Sequence, residues 1–271
     1  VDAPEAELSL GKPLCAGEQV LLIDKKSRRY LITLDDQGTF HTHAGIIAHT
    51  EMIGRAEGVK VATNRGNKFL VLRPTLSDYV LKMPRGAQVI YPKDLGPILM
   101  HADIRPGVRV LESGVGSGAL SMALLRSGAQ VTGYEIREDF ANRALNNIKS
   151  YLGDEALSRY QIEHRDCYLG IDERGFDRVL LDLPEPWQIV GHAEAALVPG
   201  GIFLAYTPSV VQAMQLRERL TKSSFALAST IEVLERGWHI KGEAVRPDHR
   251  MVGHTGFLTT ARLVESPFRD G

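Results

Sequence analysis

The chain is poor in the features that mark several protein classes. Of its 271 residues only two are cysteines, Cys15 and Cys167, far apart in sequence. Two isolated thiols make neither a disulfide framework nor a zinc motif, and a reducing compartment is expected. No apolar run approaches the ~20 residues that cross a bilayer as a helix. The opening Val1-Asp2-Ala3-Pro4-Glu5-Ala6-Glu7 is acidic and lacks the basic and apolar regions of a secretory leader. A cytoplasmic location without a membrane partner is the expectation. Charge of one sign is missing too: 32 basic against 33 acidic residues leave a net charge of −1. That average argues mildly against a nucleic-acid partner, although a basic patch can be local. The GxxxxGK[ST] loop is absent, which disfavours triphosphate chemistry.

What is present is an ordinary globular composition, 44% hydrophobic and 24% charged, with material for a substantial core. The chain divides by pattern into residues 1–80, a small β domain with a linker, and residues 81–271, an α/β domain. In the first part Gln19–Asp24, Arg29–Leu34 and Lys68–Leu72 are apolar strand candidates. Lys25-Lys26-Ser27-Arg28 reads as a hairpin turn between the first two. Thr75–Met83 suits a linking helix that stops before Pro84-Arg85-Gly86. From Arg105 onward strands alternate with helices. Val108–Glu112, Gln130–Glu135, Tyr160–His164, Arg178–Asp182 and Gly201–Tyr206 are strands. Ala119–Arg126, Glu138–Tyr151 and Ser209–Lys222 are helices. This alternation implies a mostly parallel sheet covered on both faces. Two further strand candidates lie around His239-Ile240 and Gly256-Phe257-Leu258.

The first strand of that sheet runs into Glu112-Ser113-Gly114-Val115-Gly116-Ser117-Gly118. A glycine-rich turn from strand to helix lets backbone approach a ligand closely, and a helix N-terminus offers free N–H groups. Glu135 follows at the end of the next strand, where a carboxylate accepts hydrogen bonds from ribose hydroxyls. The third glycine comes one residue too early for a dinucleotide fingerprint. Glu112 places a carboxylate where a cationic methionine end would lie. The pattern therefore favours S-adenosylmethionine over a dinucleotide; the plain alternative is a tight packing turn. Asp166, after the strand Tyr160–His164, sits where an adenine amino group is often received, or simply caps a turn.

Leu181-Asp182-Leu183-Pro184-Glu185-Pro186-Trp187 follows the fourth strand. Active groups in open α/β sheets gather at the carboxyl ends of strands. An aspartate there can hydrogen-bond an exocyclic amine; the alternative is a strand-to-helix turn with Pro186 opening a helix and Trp187 in the core. His41, His43 and His49 suggest a metal trio at first sight, but no cysteine or carboxylate cluster completes a site, and no metal is expected. Three basic clusters, Lys25/Lys26/Arg28/Arg29, Arg217/Arg219/Lys222 and Arg246/His249/Arg250, suit either phosphate contacts or a solvated face.

In these residues the chain resembles the tRNA (adenine-58-N1)-methyltransferases of the TrmI type, bacterial and especially actinobacterial members. The resemblance rests on Gln88-Val89-Ile90-Tyr91-Pro92-Lys93-Asp94, then Glu112–Gly118, then Asp182-Leu183-Pro184-Glu185-Pro186-Trp187, in that order and spacing. Gly253-His254-Thr255-Gly256-Phe257-Leu258, Phe40-His41-Thr42-His43-Ala44-Gly45 and Val71-Leu72-Arg73-Pro74 extend it over nearly the whole chain. It implies a class I S-adenosylmethionine-dependent methyltransferase domain, Rossmann-like, with a small N-terminal β-barrel, and a homotetramer that grips tRNA. It implies catalytic roles for Asp182 and Tyr91. Glu112, Gly114, Gly116, Ser117, Gly118, Ala119, Leu120, Glu135, Asp166 and Asp182 would meet the cofactor, and Phe140 would lie beside the adenosine. The rival readings are a class I methyltransferase acting on a protein or small molecule, and a non-catalytic RNA-binding subunit. The intact glycine turn and carboxylates argue against the last.

Overall fold

The computed structural model describes residues 11–86 and 88–265. The acidic opening segment lies outside the described residues. The chain forms two compact units, Val1–Met83 and Pro84–Gly271. The boundary falls three residues beyond the expected one because the linking helix runs to Lys82.

The first unit contains strands β1 (Gln19–Asp24), β2 (Arg29–Thr33), β3 (Thr39–Thr42), β4 (Gly45–Ala48), β5 (Lys60–Ala62) and β6 (Lys68–Leu72), then helix α1 (Leu76–Lys82). β2-β1-β6-β5 form one antiparallel sheet, and β3-β4 form a separate hairpin. Alternation along β1 and β6 turns Val20, Leu22, Phe69 and Val71 to one face, where Leu34, Ile47 and Met52 complete the core. The hairpin contributes Ile47 and Phe40 to that core, so the apolar face is enclosed as in a small barrel, while among the described residues the hydrogen-bonded ladder stays open. Helix α1 starts at a capping box: Thr75 accepts from the Asp78 N–H, and Asp78 accepts from the Thr75 N–H.

The second unit holds α2 (Pro92–His101), β7 (Arg109–Ser113), α3 (Ala119–Arg126), β8 (Gln130–Tyr134), α4 (Glu138–Leu152), α5 (Asp154–Leu157), β9 (Tyr160–Glu163), β10 (Phe176–Asp182), α6 (Val190–Ala196), β11 (Leu197–Thr207), α7 (Val210–Leu220), β12 (Phe225–Glu232), β13 (Trp238–Lys241), β14 (Ala244–Pro247) and β15 (Phe257–Leu263). Seven strands make one sheet in the order β12-β15-β11-β10-β7-β8-β9. β7 to β11 run parallel, whereas β15 is antiparallel to both β11 and β12. β13 and β14 pair with each other in a separate two-stranded sheet. Val179, Leu181, Phe203 and Ala205 sit among the buried residues of one large core.

This order contains a switch point. From β7 the chain moves outward through β8 and β9, then returns to β10 on the other side of β7. In open α/β sheets ligands bind outside the carboxyl ends of the strands at such a point, here those of β7 and β10. Glu112 lies in β7 and Asp182 ends β10.

Candidate active site

The glycine turn is set by backbone demands. Gly114, Gly116 and Gly118 all have positive φ, at 86°, 55° and 84°, a region that L side chains rarely occupy. Gly114 has a second reason: a Cβ there would lie 2.1 Å from the Asp182 carbonyl oxygen. The turn after β7 is thus pressed onto the end of β10. Gly118 backs onto Ala144 of α4, whereas a Cβ on Gly116 would meet nothing within 4 Å. The open position is the one a ligand can approach. No side chain caps the N-terminus of α3, so its first amides are left for another acceptor.

Glu135 frames this turn. One carboxylate oxygen accepts from the Gly116 N–H at 3.0 Å and the other from the Arg137 N–H at 2.9 Å. Each oxygen keeps a further lone pair for a hydroxyl. Ser117 is buried, and its Oγ has no hydrogen-bond partner among the described residues. An orphaned buried hydroxyl costs free energy unless something completes it. Together, the open Gly116 position, the unfilled Glu135 acceptors and the orphaned Ser117 hydroxyl fit a polar, ribose-bearing cofactor.

Glu112 is only 1% exposed. Ser121 Oγ donates to its Oε2 at 2.7 Å. Burial, reinforced by the negative charges of Asp182 and Glu135, pushes its pKa up to about 8, against the opposing Ser121 hydrogen bond. A cation beside it would draw it back toward the ionised form. Asp182 is half-buried. Desolvation alone raises its carboxyl to about 7. It takes no hydrogen bond or ion pair from the described residues.

Tyr91 N-caps α2, its carbonyl accepting from the Asp94 and Leu95 N–H groups. The two residues after Pro92 explain why this helix stands where it does. Lys93 Nζ donates to Asp94 Oδ1 (2.8 Å), to the Val233 carbonyl (2.7 Å) and to Thr255 Oγ1 (2.6 Å). Thr255 Oγ1 in turn donates to Asp94 Oδ2 at 2.7 Å. The ion pair is buried, with side chains 6% and 0% exposed. It bolts the start of α2 to the segment before β15. Gly256 packs against the ring of Tyr206, where a Cβ would fall 2.5 Å from the ring. Tyr206 pairs in register with Asp182. Burial pushes its hydroxyl up to about 12, with the charges of Asp94 and Asp182 adding to the shift.

Ala119 and Leu120 are the first buried residues of α3. Phe140 is half-buried in the first turn of α4, with the Arg137 guanidinium 3.7 Å from its ring centroid. Asp166 caps a short 3-10 turn, its side chain accepting from the Tyr168 N–H at 2.9 Å. Pro186 opens a 3-10 helix, and Trp187 packs against the core. The three histidines part company: His41 meets Thr39, His43 meets Arg28, and buried His49 accepts from the Asp35 N–H. Sequence reasoning does not single out Ser121, Asn147, Tyr206 or the pairing of Lys93-Asp94 with Thr255. Asn147 is buried and donates to the Ser117 and Pro84 carbonyls. None of these has a local spacing signal, since each partner is remote in the chain.

A family model described as "tRNA methyltransferase complex GCD14 subunit" matches residues 68–246. The chain belongs to this family. A TrmI-like N-terminal model matches residues 13–61 as well. Among the relatives of this GCD14-family chain is the tRNA (adenine(58)-N(1))-methyltransferase TrmI of Thermus thermophilus, 34% identical, covering 90% of this chain and 96% of that protein. The tRNA (adenine(57)-N(1)/adenine(58)-N(1))-methyltransferase TrmI of Methanocaldococcus jannaschii is also 34% identical, covering 91% and 95%. Among solved structures, a SAM-dependent O-methyltransferase of Thermotoga maritima has a TM-score of 0.88 at 34% identity, covering 93% of this chain and 94% of that one. The tRNA (m1A58) methyltransferase TrmI of Aquifex aeolicus has a TM-score of 0.83 at 29% identity, covering 94% and 100%. The seven-stranded unit is a class I S-adenosylmethionine-dependent methyltransferase fold, and S-adenosylmethionine is the cofactor.

Proposed function

We propose that this protein transfers a methyl group from S-adenosylmethionine to N1 of adenine 58 in tRNA. The observation that carries the reading is Asp182: a desolvated carboxylate without a partner among the described residues, at the switch point of the sheet and packed by its backbone onto the glycine turn. Two relatives at 34% identity are named for this reaction.

Glu135, Ser117, the glycines 114, 116 and 118, and the first amides of α3 at Ala119 and Leu120 would hold the cofactor, with Glu112 at its cationic end. Asp166 has an unused carboxylate oxygen for an amino group, and Phe140 offers a flat apolar surface. When bound, S-adenosylmethionine supplies an electrophilic methyl on a sulfonium. Adenine N1 has a lone pair and needs no strong base at neutral pH. The methylated ring becomes cationic. Asp182 at the amino-group edge stabilises that growing charge more than the neutral ground state, which is where rate enhancement arises. Tyr91 orients the base. A base stacked within folded RNA must first be turned out to reach such a site.

The T. maritima neighbour and the near-neutral Asp182 together favour one alternative. O-methylation of a small molecule or protein requires removal of a hydroxyl proton, and a carboxylate titrating near 7 suits that role. Incubation with labelled S-adenosylmethionine and an unmodified tRNA transcript, followed by nuclease digestion and mass spectrometry, separates the two. N1-methyladenosine at position 58 is expected. Cofactor binding without transfer to tRNA would sink this reading and leave the alternative or a silent subunit.

Self-association as a homotetramer forms part of the proposal. Trp238, Ile240 and Val245 on the β13-β14 hairpin, with Met251 and Val252 beyond it, are exposed apolar residues, and such a patch commonly marks an interface. Light scattering of the full chain tests it. No helix among the described residues is long and apolar enough to cross a membrane; a cytoplasmic location follows from the tRNA substrate.

A further inference from the structure

Three turns converge at one end of the small β domain: Lys25–Arg28 between β1 and β2, the tip of the β3-β4 hairpin at His43-Ala44, and Gly66-Asn67 before β6. They enclose a cleft of about 570 Å³ with Phe69 also in its wall. Lys25, Lys26, Arg28, His43 and Lys68 line it, against a single carboxylate, Asp24. That carboxylate is already spent. Its Oδ1 accepts from the N–H groups of Lys26 (2.8 Å) and Arg28 (3.0 Å), and its Oδ2 accepts from Arg28 Nε at 2.6 Å. Lys25, Lys26 and Lys68 make no ion pair among the described residues, and all three are exposed.

The frame behind these lysines is stiff. Arg28 bridges from Asp24 to His43 Nε2 at 2.9 Å. Asn67 Nδ2 and Thr63 Oγ1 both donate to the Ala44 carbonyl at 2.8 Å. Gly45 is packed so closely that a Cβ would fall 2.6 Å from Asn64. A solvated face of lysines needs neither a concavity nor such bracing. In a chain of net charge −1, a concave, braced site with three uncompensated cations is a local electropositive focus. Within the same run Arg29 is committed to Asp78; in the run Arg217/Arg219/Lys222, Lys222 pairs with Glu218 and Arg217 and Arg219 bond within their own surroundings.

We propose that this cleft, with Lys25, Lys26 and Lys68 converging over the Asp24–Arg28–His43 brace, is a docking site for the sugar–phosphate backbone of RNA. The proposal rests on the reading of the chain as a tRNA methyltransferase. The cleft contributes position and affinity, not chemistry, because phosphate contacts carry register rather than sequence.

The test compares the full chain with Lys25→Ala/Lys26→Ala/Lys68→Ala and with the charge-keeping Lys25→Arg/Lys26→Arg/Lys68→Arg. Binding of a tRNA transcript is followed by fluorescence anisotropy from about 50 to 200 mM salt, and methylation kinetics are measured alongside. The alanine variant is expected to flatten the slope of log K against log salt by about two to three, since each phosphate left unneutralised removes roughly 0.7–0.9 from it. Its KM for tRNA should rise at least about tenfold at the upper salt, with kcat at saturating tRNA and cofactor affinity unchanged. The arginine variant should keep the wild-type slope and KM. A wild-type slope in the alanine variant overturns the proposal and leaves the cleft to some other anionic partner. Binding that fails in the wild type overturns it as well. Binding without methylation by the wild type refutes the tRNA-methylation reading alone, since the slopes still judge the cleft.

Discussion

Around the glycine turn the polar framework is backbone: Glu135 accepts two main-chain N–H groups, and the glycine turn exists because Gly114 must clear the Asp182 carbonyl. Around the start of α2 it is side chain: Lys93, Asp94 and Thr255 close a largely buried triangle, and Tyr206 packs on Gly256 beside Asp182. The two halves should therefore fail differently. A backbone-built half is sensitive to volume and tolerant of charge; a side-chain-built half is the reverse.

The sharpest contrast comes from Gly114→Ala beside Gly116→Ala. Both substitutions force a left-handed conformation that costs about 1–2 kcal/mol. Only the first also drives a methyl into a carbonyl at 2.1 Å. Gly114→Ala is expected to lose cofactor binding by calorimetry together with several kcal/mol of stability, while Gly116→Ala loses cofactor affinity with a stability change near the backbone strain alone. Equal thermal melts for the two would break the comparison.

On the other side, Lys93→Ala leaves Asp94 buried without its cation, a change worth about 3–5 kcal/mol. Thr255→Val removes one donor and one acceptor and should cost nearer about 1–3 kcal/mol. Chemical denaturation reads both, and a larger effect at Thr255 than at Lys93 would show that the charge is not the organising element.

Asp182→Ala separates chemistry from framework. Its side chain holds nothing up among the described residues, so stability should be kept while kcat falls by about 10²–10³, the scale for losing one electrostatic stabiliser. Single-turnover methylation at saturating cofactor measures it. A variant that retains full kcat removes Asp182 from the mechanism.

A further contrast lies in pH dependence. Unfolded, Glu112 ionises near 4.5; folded, it holds its proton up to about 8. The folded state binds the extra proton between those values, so this contribution to stability is complete below 4.5 and is lost as pH rises toward about 8. Glu112→Gln mimics the protonated form and should flatten the melting temperature against pH in that window. An unchanged profile would mean that Glu112 is solvated after all.

The backbone-built half is also the half that is readable from the residues. Glycine spacing, a strand before and a helix after state a main-chain geometry locally, and α3 falls on Ala119–Arg126 as expected. The other half is hidden because its partners meet only after folding: nothing near Asp94 announces Thr255. Helix α2 escapes a reading of the residues for a related reason. Pro92, Gly96 and Pro97 all lie within it, and locally they suggest a break, yet Pro92 occupies the first helical position, where no N–H is required. The strand β12 and the short β5 escape it because half-buried edge strands carry a weak pattern. Asp166 shows the limit at a single residue: its turn-capping bond is present, and that bond leaves a second oxygen for a ligand, so the two expectations do not exclude each other.

One detail of the sheet bears on how the molecule is made. Among the described residues β12 is joined to the sheet only through β15, which is inserted between β12 and β11. During synthesis the ribosome delivers β12 well before its sole neighbour, and the sheet edge at β11 stays unpaired until Leu263 has emerged. The small β domain, by contrast, has all its strands by Leu72 and is expected to fold while translation continues. The two units should thus mature in sequence, and the waiting β11 edge is the stretch most in need of protection by a chaperone.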